Sequence, residues 1–306
     1  LCAKSNIKLL NDQIYKHKPK YAFLYDMEKI SSFNTLVDKT RFLNQKELQS
    51  YLLSSKSNMT LLAISGYKSL YYLENIISNT NNLGIVNKEA IVSAGHIFKK
   101  NKYFKKTNIF PLDSEHFSIF EFLNKIDNKK DIKNLIITAS GGPFYKKKFK
   151  TLKDIKYSQA IKHPKWNMGY KNSIDSATLV NKCLEVIEAH YLFDIPYNKI
   201  KVLIHPEAIV HSIIQNCNFT SNMNLFKNDM DIPIINFLMK SKKSKKYNFK
   251  ENLNFKNYNC FNFKQIKKEY FPIYSFFSNL DKSDPKNIIK FNIGNEYAVN
   301  LFKNGL

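Results

Sequence analysis

Three acidic residues have the type and spacing of ligands for a hard divalent cation. Asp113 and Glu115 lie two residues apart after an apolar run, and at the end of a strand such residues point the same way. Two carboxylates aimed together repel unless a cation joins them, and oxygen-only ligands favour Mg²⁺ or Mn²⁺. Glu185 could supply a third carboxylate. In the competing interpretation, Asp113 or Ser114 is simply the N-cap of a helix.

A second group of residues is of the kind that binds phosphate. Ser140 precedes Gly141-Gly142-Pro143 at the end of an apolar run, and glycines let backbone N–H groups approach an anion. A plain tight turn uses the same residues. Ser176 is expected near a helix N-terminus, where phosphate is favoured.

The stretch after residue 180 combines an amide, an ammonium group and a carboxylate. Asn181 and Glu185 are four apart and share one helix face, and Lys182 supplies a point charge for phosphate. The alternative is a surface ion pair between Lys182 and Glu185. Trp166 lies in a loop bounded by Pro164 and Gly169, so it suits either a lid over a ligand or a core anchor.

These side chains need a scaffold, and the first third of the chain predicts one. Apolar runs at 21–24, 60–64 and 84–86 read as buried strands, and helical patterns follow at 45–53, 66–77 and 88–99. Strands alternating with helices predict a parallel, doubly wound sheet. The Gly-rich GxGxxG turn of dinucleotide-binding sheets is missing. Either this sheet binds no dinucleotide, or its first β–turn–α unit precedes Leu1; the mid-pattern opening favours the second interpretation.

Composition restricts the function classes. The 306 residues carry a formal net charge of +23 with 43% hydrophobic residues. Such a charge suits a nucleic-acid or membrane-surface binder, but the lysines are spread along the chain without matching arginines, as in a general compositional bias. We therefore expect no nucleic-acid or membrane partner. The four cysteines form no CxxC pair and predict free thiols in a reducing compartment.

Several segments, taken in order, resemble the signature of the 1-deoxy-D-xylulose 5-phosphate reductoisomerase family. They are Asn87-Lys88-Glu89, Asp113-Ser114-Glu115-His116, Ser140-Gly141-Gly142-Pro143-Phe144, the block from His163 to Glu185, and Leu203-Ile204-His205-Pro206-Glu207 with His211-Ser212. The resemblance is densest from residue 84 to 212. It implies an enzyme that rearranges 1-deoxy-D-xylulose 5-phosphate and reduces it with NADPH to 2-C-methyl-D-erythritol 4-phosphate, in the non-mevalonate isoprenoid pathway.

The resemblance also implies residue roles. Asp113, Glu115 and Glu185 would hold Mn²⁺ or Mg²⁺. The implied catalytic residues are Lys88, Glu89, His163, Trp166 and His205. The implied contacts to the small phosphorylated sugar substrate are Ser114, Glu115, Ser140, His163, Ser176, Asn181, Lys182 and Glu185. The implied NADPH contacts are Ala3, Lys4, Ser5, Asn6, Gly66, Asn87, Glu89 and Gly169.

The expected architecture is α/β. A Rossmann-like NADPH domain at 1–112, without its first β–turn–α unit, precedes an α+β catalytic domain at 113–283 and the start of a helical C-terminal region at 284–306. The resemblance implies a homodimer, located in a bacterial cytoplasm or, alternatively, a plastid stroma. Two other hypotheses are a decayed homologue without catalysis and a basic nucleic-acid-binding protein.

Overall fold

The computed structural model describes residues 1–26, 39–64, 66–101, 104–126, 128–152, 154–162, 169–240 and 253–305. Two three-stranded parallel sheets form the first part of the chain. Their strands are β1 (Cys2–Ala3), β2 (Tyr21–Leu24), β3 (Arg41–Phe42), β4 (Ser57–Leu62), β5 (Thr80–Ile85) and β6 (Asn108–Pro111). The helices between them are α1 (Ile7–His17), α2 (Gln45–Ser54), α3 (Leu70–Asn79) and α4 (Lys88–Phe98).

Local sequence explains where these elements begin. Asn44 and Glu47 form a reciprocal capping box at the start of α2. Asn87 caps α4 by accepting a hydrogen bond from the backbone N–H of Ala90. The strand–helix alternation expected from the sequence is confirmed. However, β4 begins three residues earlier than expected and stops at Leu62, and β5 runs from Thr80 to Ile85 where a strand at 84–86 is expected.

The two parallel sheets border a cavity of about 430 Å³. Residues of β1, such as Cys2, and of β4, such as Met59 and Leu61, line it together with side chains of α2 and α3. Within the described residues, β1 and β4 are each paired on one side only. The cavity thus lies between two sheet edges.

The rest of the chain is built around a mixed sheet of order β10-β9-β7-β8. Its strands are β7 (Ile132–Ala139), β8 (Ile200–Ile204), β9 (Val210–Asn216) and β10 (Ser221–Leu225). The remaining helices are α5 (Ser114–Leu123), α6 (Tyr157–Ala160), α7 (Tyr170–Thr178), α8 (Val180–Phe193), α9 (Asp231–Lys240), α10 (Pro272–Asn279) and α11 (Pro285–Lys303). No helix of the described ranges is both long and apolar enough to cross a bilayer.

One apolar cluster joins both parts of the molecule. It includes Leu83 of β5, Ile91 of α4, Ile137 of β7 and Ile187 of α8. Strands of the first part end at Pro111 and α11 begins at Pro285, close to the expected boundaries. Because the cluster crosses residue 112, the division into domains stays a prediction.

Helix α4 lies unusually close to α8. A Cβ atom added at Gly95 of α4 would meet ring and Cβ atoms of Tyr191 of α8 at 2.5–2.9 Å. A glycine in mid-helix ordinarily costs stability, so its presence here reflects this close packing. The approach of these two helices matters because both carry candidate site residues.

Gly95→Ala should therefore destabilise the protein by about 1–3 kcal/mol despite the better helix propensity of alanine, because the added methyl overpacks the contact with Tyr191. The matched control is Gly294→Ala in α11, where an added Cβ would meet nothing within 4 Å. That change should stabilise by roughly 0.5–1 kcal/mol. Urea unfolding of both variants checks the pair; equal shifts of the same sign would contradict it.

Candidate active site

Because β4, β5 and β6 are parallel, their carboxyl ends lie together along one end of the sheet, which we call the cofactor edge. Several predicted residues lie at this cofactor edge. Gly66 follows β4, Asn87 to Glu89 follow β5, and Asp113 follows β6. Asn87 also holds the Gly66 turn, because its Nδ2 donates to the carbonyl of Gly66 at 2.9 Å. Gly66 has φ of 74°, a left-handed conformation that favours glycine.

The three predicted metal ligands converge. One oxygen from each of Asp113, Glu115 and Glu185 lies within 4.8 Å of the others. The route to this convergence differs from the expectation, because Asp113 and Glu115 are not on a strand. Asp113 occupies the N-cap position of α5 without making a side-chain cap bond, and Glu115 lies in the first turn. The capping position and the shared carboxylate site are therefore compatible.

Two lysines neutralise most of the charge of this cluster. Lys88 Nζ contacts Asp113 and lies 2.8 Å from Glu185 Oε1. Lys182 Nζ contacts Glu115 and lies 2.7 Å from Glu185 Oε2. The Lys182–Glu185 pair considered from spacing exists, but the Glu185 side chain is 0% exposed, so it is no surface pair.

The pKa values of these groups follow from burial and mutual attraction. Burial alone would lower the pKa of Lys88, but Asp113, Glu185 and Glu115 raise it well above its usual value. Burial would raise the pKa of Asp113, but Lys88 and His116 hold it well below. Burial and the charge of Glu115 raise the pKa of Glu185. An oxygen-only donor set of three carboxylates fits Mg²⁺ or Mn²⁺.

Sequence reasoning missed two further residues at this cluster. His116 Nδ1 lies 3.4 Å from Asp113 Oδ2 and 3.5 Å from Glu188 Oε2, and its Nε2 lies 3.0 Å from the carbonyl of Glu185. Burial would lower the pKa of His116, but Glu188 and Asp113 raise it to about 9. Each new residue follows a predicted ligand by three positions along a helix. Residues three apart on a helix lie side by side, so this spacing from Asp113 and Glu185 is the sequence signal for His116 and Glu188.

The residues expected at the phosphate site are only partly brought together. An added Cβ at Gly142 would lie 2.7 Å from the backbone oxygen of Ser176, so the turn after Ser140 packs directly on α7. Asn181 Nδ2 donates to Glu185 Oε1 at 2.5 Å, which confirms the shared helix face.

The expectation that Ser176 begins a helix is wrong. Ser176 lies in the last turn of α7, and its carbonyl accepts a hydrogen bond from the N–H of Leu179. Leu179 has φ of 62°, which ends α7 and lets α8 start at Val180. The N-terminal turn that favours an anion therefore belongs to α8 and carries Asn181 and Lys182.

His205 is fully buried in a loop after β8. Its Nε2 accepts from the backbone N–H of Val210 at 3.2 Å, which leaves the ring proton on Nδ1, 2.9 Å from the carbonyl of Asn262. The ring also stacks on Phe263. These contacts position the loop, and the catalytic role of His205 stays a prediction. His163 and Trp166 lie outside the described residues.

The remaining cofactor candidates follow β1 or precede α7. Ala3 ends β1, Lys4 and Ser5 follow it, and Asn6 caps α1 by accepting from Leu9 N at 3.1 Å. Gly169 occupies the N-cap position of α7. Helix starts and strand ends of this kind suit the phosphates and ribose of a dinucleotide.

Three family models match parts of this chain. A family model for 1-deoxy-D-xylulose 5-phosphate reductoisomerase matches residues 1–95, its C-terminal domain model matches residues 109–193, and the model of a DXP reductoisomerase C-terminal domain matches residues 225–306. A protein of that name from Sulfurihydrogenibium sp. is 36% identical over 300 residues, covering 98% of this chain and 76% of the relative. One from Caldanaerobacter subterraneus subsp. tengcongensis is 40% identical over 235 residues, 76% of this chain but 61% of the relative.

Solved structures are similar over the whole described fold. The structure of a DOX-P reductoisomerase in complex with NADPH, fosmidomycin and magnesium has a TM-score of 0.88 at 28% identity, covering 100% of this chain and 78% of that one. The reductoisomerase from Zymomonas mobilis in complex with NADPH has a TM-score of 0.85 at 28% identity, covering 99% and 78%. These likenesses support the α/β architecture with a Rossmann-like part.

Mn²⁺ should raise the thermal unfolding midpoint of the protein, because binding to the folded state alone stabilises it by about 2.7 kcal/mol at a hundredfold excess over Kd. Glu185→Gln should abolish most of this rise in the unfolding midpoint, because the variant lacks one of the three carboxylate ligands. The exposed Glu74→Gln variant is the matched control and should keep the full shift. An unchanged shift in the Glu185 variant would place the metal elsewhere.

Proposed function

Because the chain belongs to the 1-deoxy-D-xylulose 5-phosphate reductoisomerase family, we propose that the complete protein converts 1-deoxy-D-xylulose 5-phosphate into 2-C-methyl-D-erythritol 4-phosphate. The enzyme would use NADPH and Mg²⁺ or Mn²⁺. The observation that carries the proposal is the convergence of three carboxylates beside the sheet edge that also presents Gly66 and Asn87. A metal site next to a dinucleotide edge is the arrangement that a metal-assisted rearrangement followed by hydride transfer requires.

The chain's own residues have distinct tasks in this proposal. A divalent cation held by Asp113, Glu115 and Glu185 would polarise the substrate oxygens, and NADPH would supply the hydride. Lys88 keeps its proton because the carboxylates raise its pKa. Its ammonium group therefore adds a permanent positive charge where the substrate oxygens gain negative charge.

Phosphate binding falls to the start of α8 and the turn that packs on α7. Lys182 and Asn181 lie in the first turn of α8, where the helix dipole also favours an anion. Both side chains contact Glu185 in the described structure. Neutralisation of the three carboxylates by the cation would free the side chains of Lys182 and Asn181 to bind the substrate phosphate. Ser140 and Ser176 would add hydroxyl donors from the turn and from α7.

His116, with Glu188 beside it, would hold the proposed metal ligands in place. His116 contacts Asp113 through Nδ1 and the α8 backbone through Nε2. Such contacts orient a ligand carboxylate, and losing them typically weakens metal binding.

We further propose a homodimer in the bacterial cytoplasm; the relatives named above are bacterial proteins.

Turnover of the complete protein tests the proposal. NADPH oxidation with 1-deoxy-D-xylulose 5-phosphate should require Mn²⁺ or Mg²⁺, and Glu185→Gln should lower kcat/KM at least about a hundredfold, because the cation stabilises the transition state by several kcal/mol. Glu74→Gln should retain parental activity. A folded parent that binds NADPH without turning over would instead favour a decayed homologue.

A further inference from the structure

A second buried charged network lies beside the carboxylate cluster. Lys171, in the first turn of α7, places Nζ 2.6 Å from Asp175 Oδ2 and 3.1 Å from Glu89 Oε1. The side chains are 16% exposed for Lys171, 1% for Asp175 and 9% for Glu89. The lysine therefore joins α7 to the first turn of α4 in a region largely closed to water.

Asp175 is held on both of its oxygens. Lys171 contacts Oδ2, and Asn295 of α11 donates to Oδ1 at 2.8 Å. This arrangement fixes the lysine from one side, so its ammonium group has a defined position in front of Glu89. A buried ion pair contributes little net stability compared with apolar packing. The Lys171–Glu89 pair is therefore better explained by the position that it gives the Glu89 carboxylate.

Glu89 stands between the cofactor edge and the metal cluster. Asn87, two residues earlier, holds the Gly66 turn, and the adjacent Lys88 contacts Asp113 and Glu185. An acidic side chain beside the Gly66 turn can accept hydrogen bonds from the hydroxyls of the nicotinamide ribose; the adenosine ribose of NADPH carries a 2′-phosphate, which a carboxylate would repel. Such acceptance depends on the orientation of the carboxylate plane.

The α11 helix also reaches this edge. Glu296 Oε1 lies 3.5 Å from where a Cβ of Gly66 would be. Burial and the charges of Glu89 and Asp175 raise the pKa of Glu296, whereas Lys171 lowers it. Lys171 thus lies among three carboxylates and limits their mutual repulsion.

We propose that Lys171 is a positioning residue: held by Asp175, it orients the Glu89 carboxylate towards the hydroxyls of the nicotinamide ribose of bound NADPH. The inference rests on the proposed function and on the NADPH contact that the family resemblance implies for Glu89. It also links the two halves of the site, because the helix that carries Lys171 carries Ser176 of the phosphate site. A change at Lys171 should therefore act on cofactor affinity through Glu89.

A double-mutant cycle in the complete protein tests this coupling. NADPH affinity is measured by equilibrium fluorescence titration for the parent, Lys171→Met, Glu89→Gln and the double variant. Lys171→Met should weaken NADPH binding on the order of tenfold in the parent but less than about twofold in the Glu89→Gln background. Lys171→Arg should keep most of the affinity, and the exposed Lys290→Met on α11 should keep all of it.

Steady-state kinetics provide the second readout. The KM for NADPH should rise in Lys171→Met with a smaller change in kcat. If this variant does not fold, the neutral pair Lys171→Gln with Asp175→Asn replaces it in the cycle. An equal loss of affinity in both backgrounds, or no loss, would overturn the proposal. A parent that binds NADPH without turnover would refute the proposed function alone, because the cycle is measured by binding.

Discussion

Three carboxylates and two ammonium groups lie together, largely shielded from water, where α4, α5 and α8 meet. Carboxylates this close cannot all remain charged in a buried site without cations beside them. Lys88 and Lys182 satisfy that requirement in the described structure and leave one net negative charge. The divalent cation proposed for this cluster would take over that role from the lysines, and the surrounding helices bring these five groups together.

The elements around the cluster approach one another closely at residues without side chains. Gly95 lets α4 meet Tyr191 of α8, and Gly142 lets the turn after β7 lie against α7. Leu179, in the left-handed conformation, separates α7 from α8 and gives the second helix its own N-terminus. These contacts hold α4 against α8, which carry candidate metal-site residues, and hold the turn after Ser140 against α7.

The sequence predicts much of this arrangement. The predicted strands and helices of the first third all appear, with their ends shifted by a few residues, and the spacing of Asn181 and Glu185 predicts their shared face. It does not predict that Ser176 lies in the last turn of a helix, because the break depends on the conformation of Leu179, a residue with no turn preference of its own. Nor does local pattern show that Lys171 pairs with Glu89, since that contact joins two helices far apart in sequence. Spacing alone left the roles of the candidate site residues open, and the family resemblance is what implies them.

Anomalous diffraction from crystals of the complete protein soaked in Mn²⁺ tests the central claim most directly. The account predicts one manganese peak bound by oxygens of Asp113, Glu115 and Glu185 at about 2.0–2.2 Å, with the ammonium groups of Lys88 and Lys182 moved from their present ion pairs. A manganese peak elsewhere, or a cluster that keeps both lysines in place and takes up no metal, would contradict it.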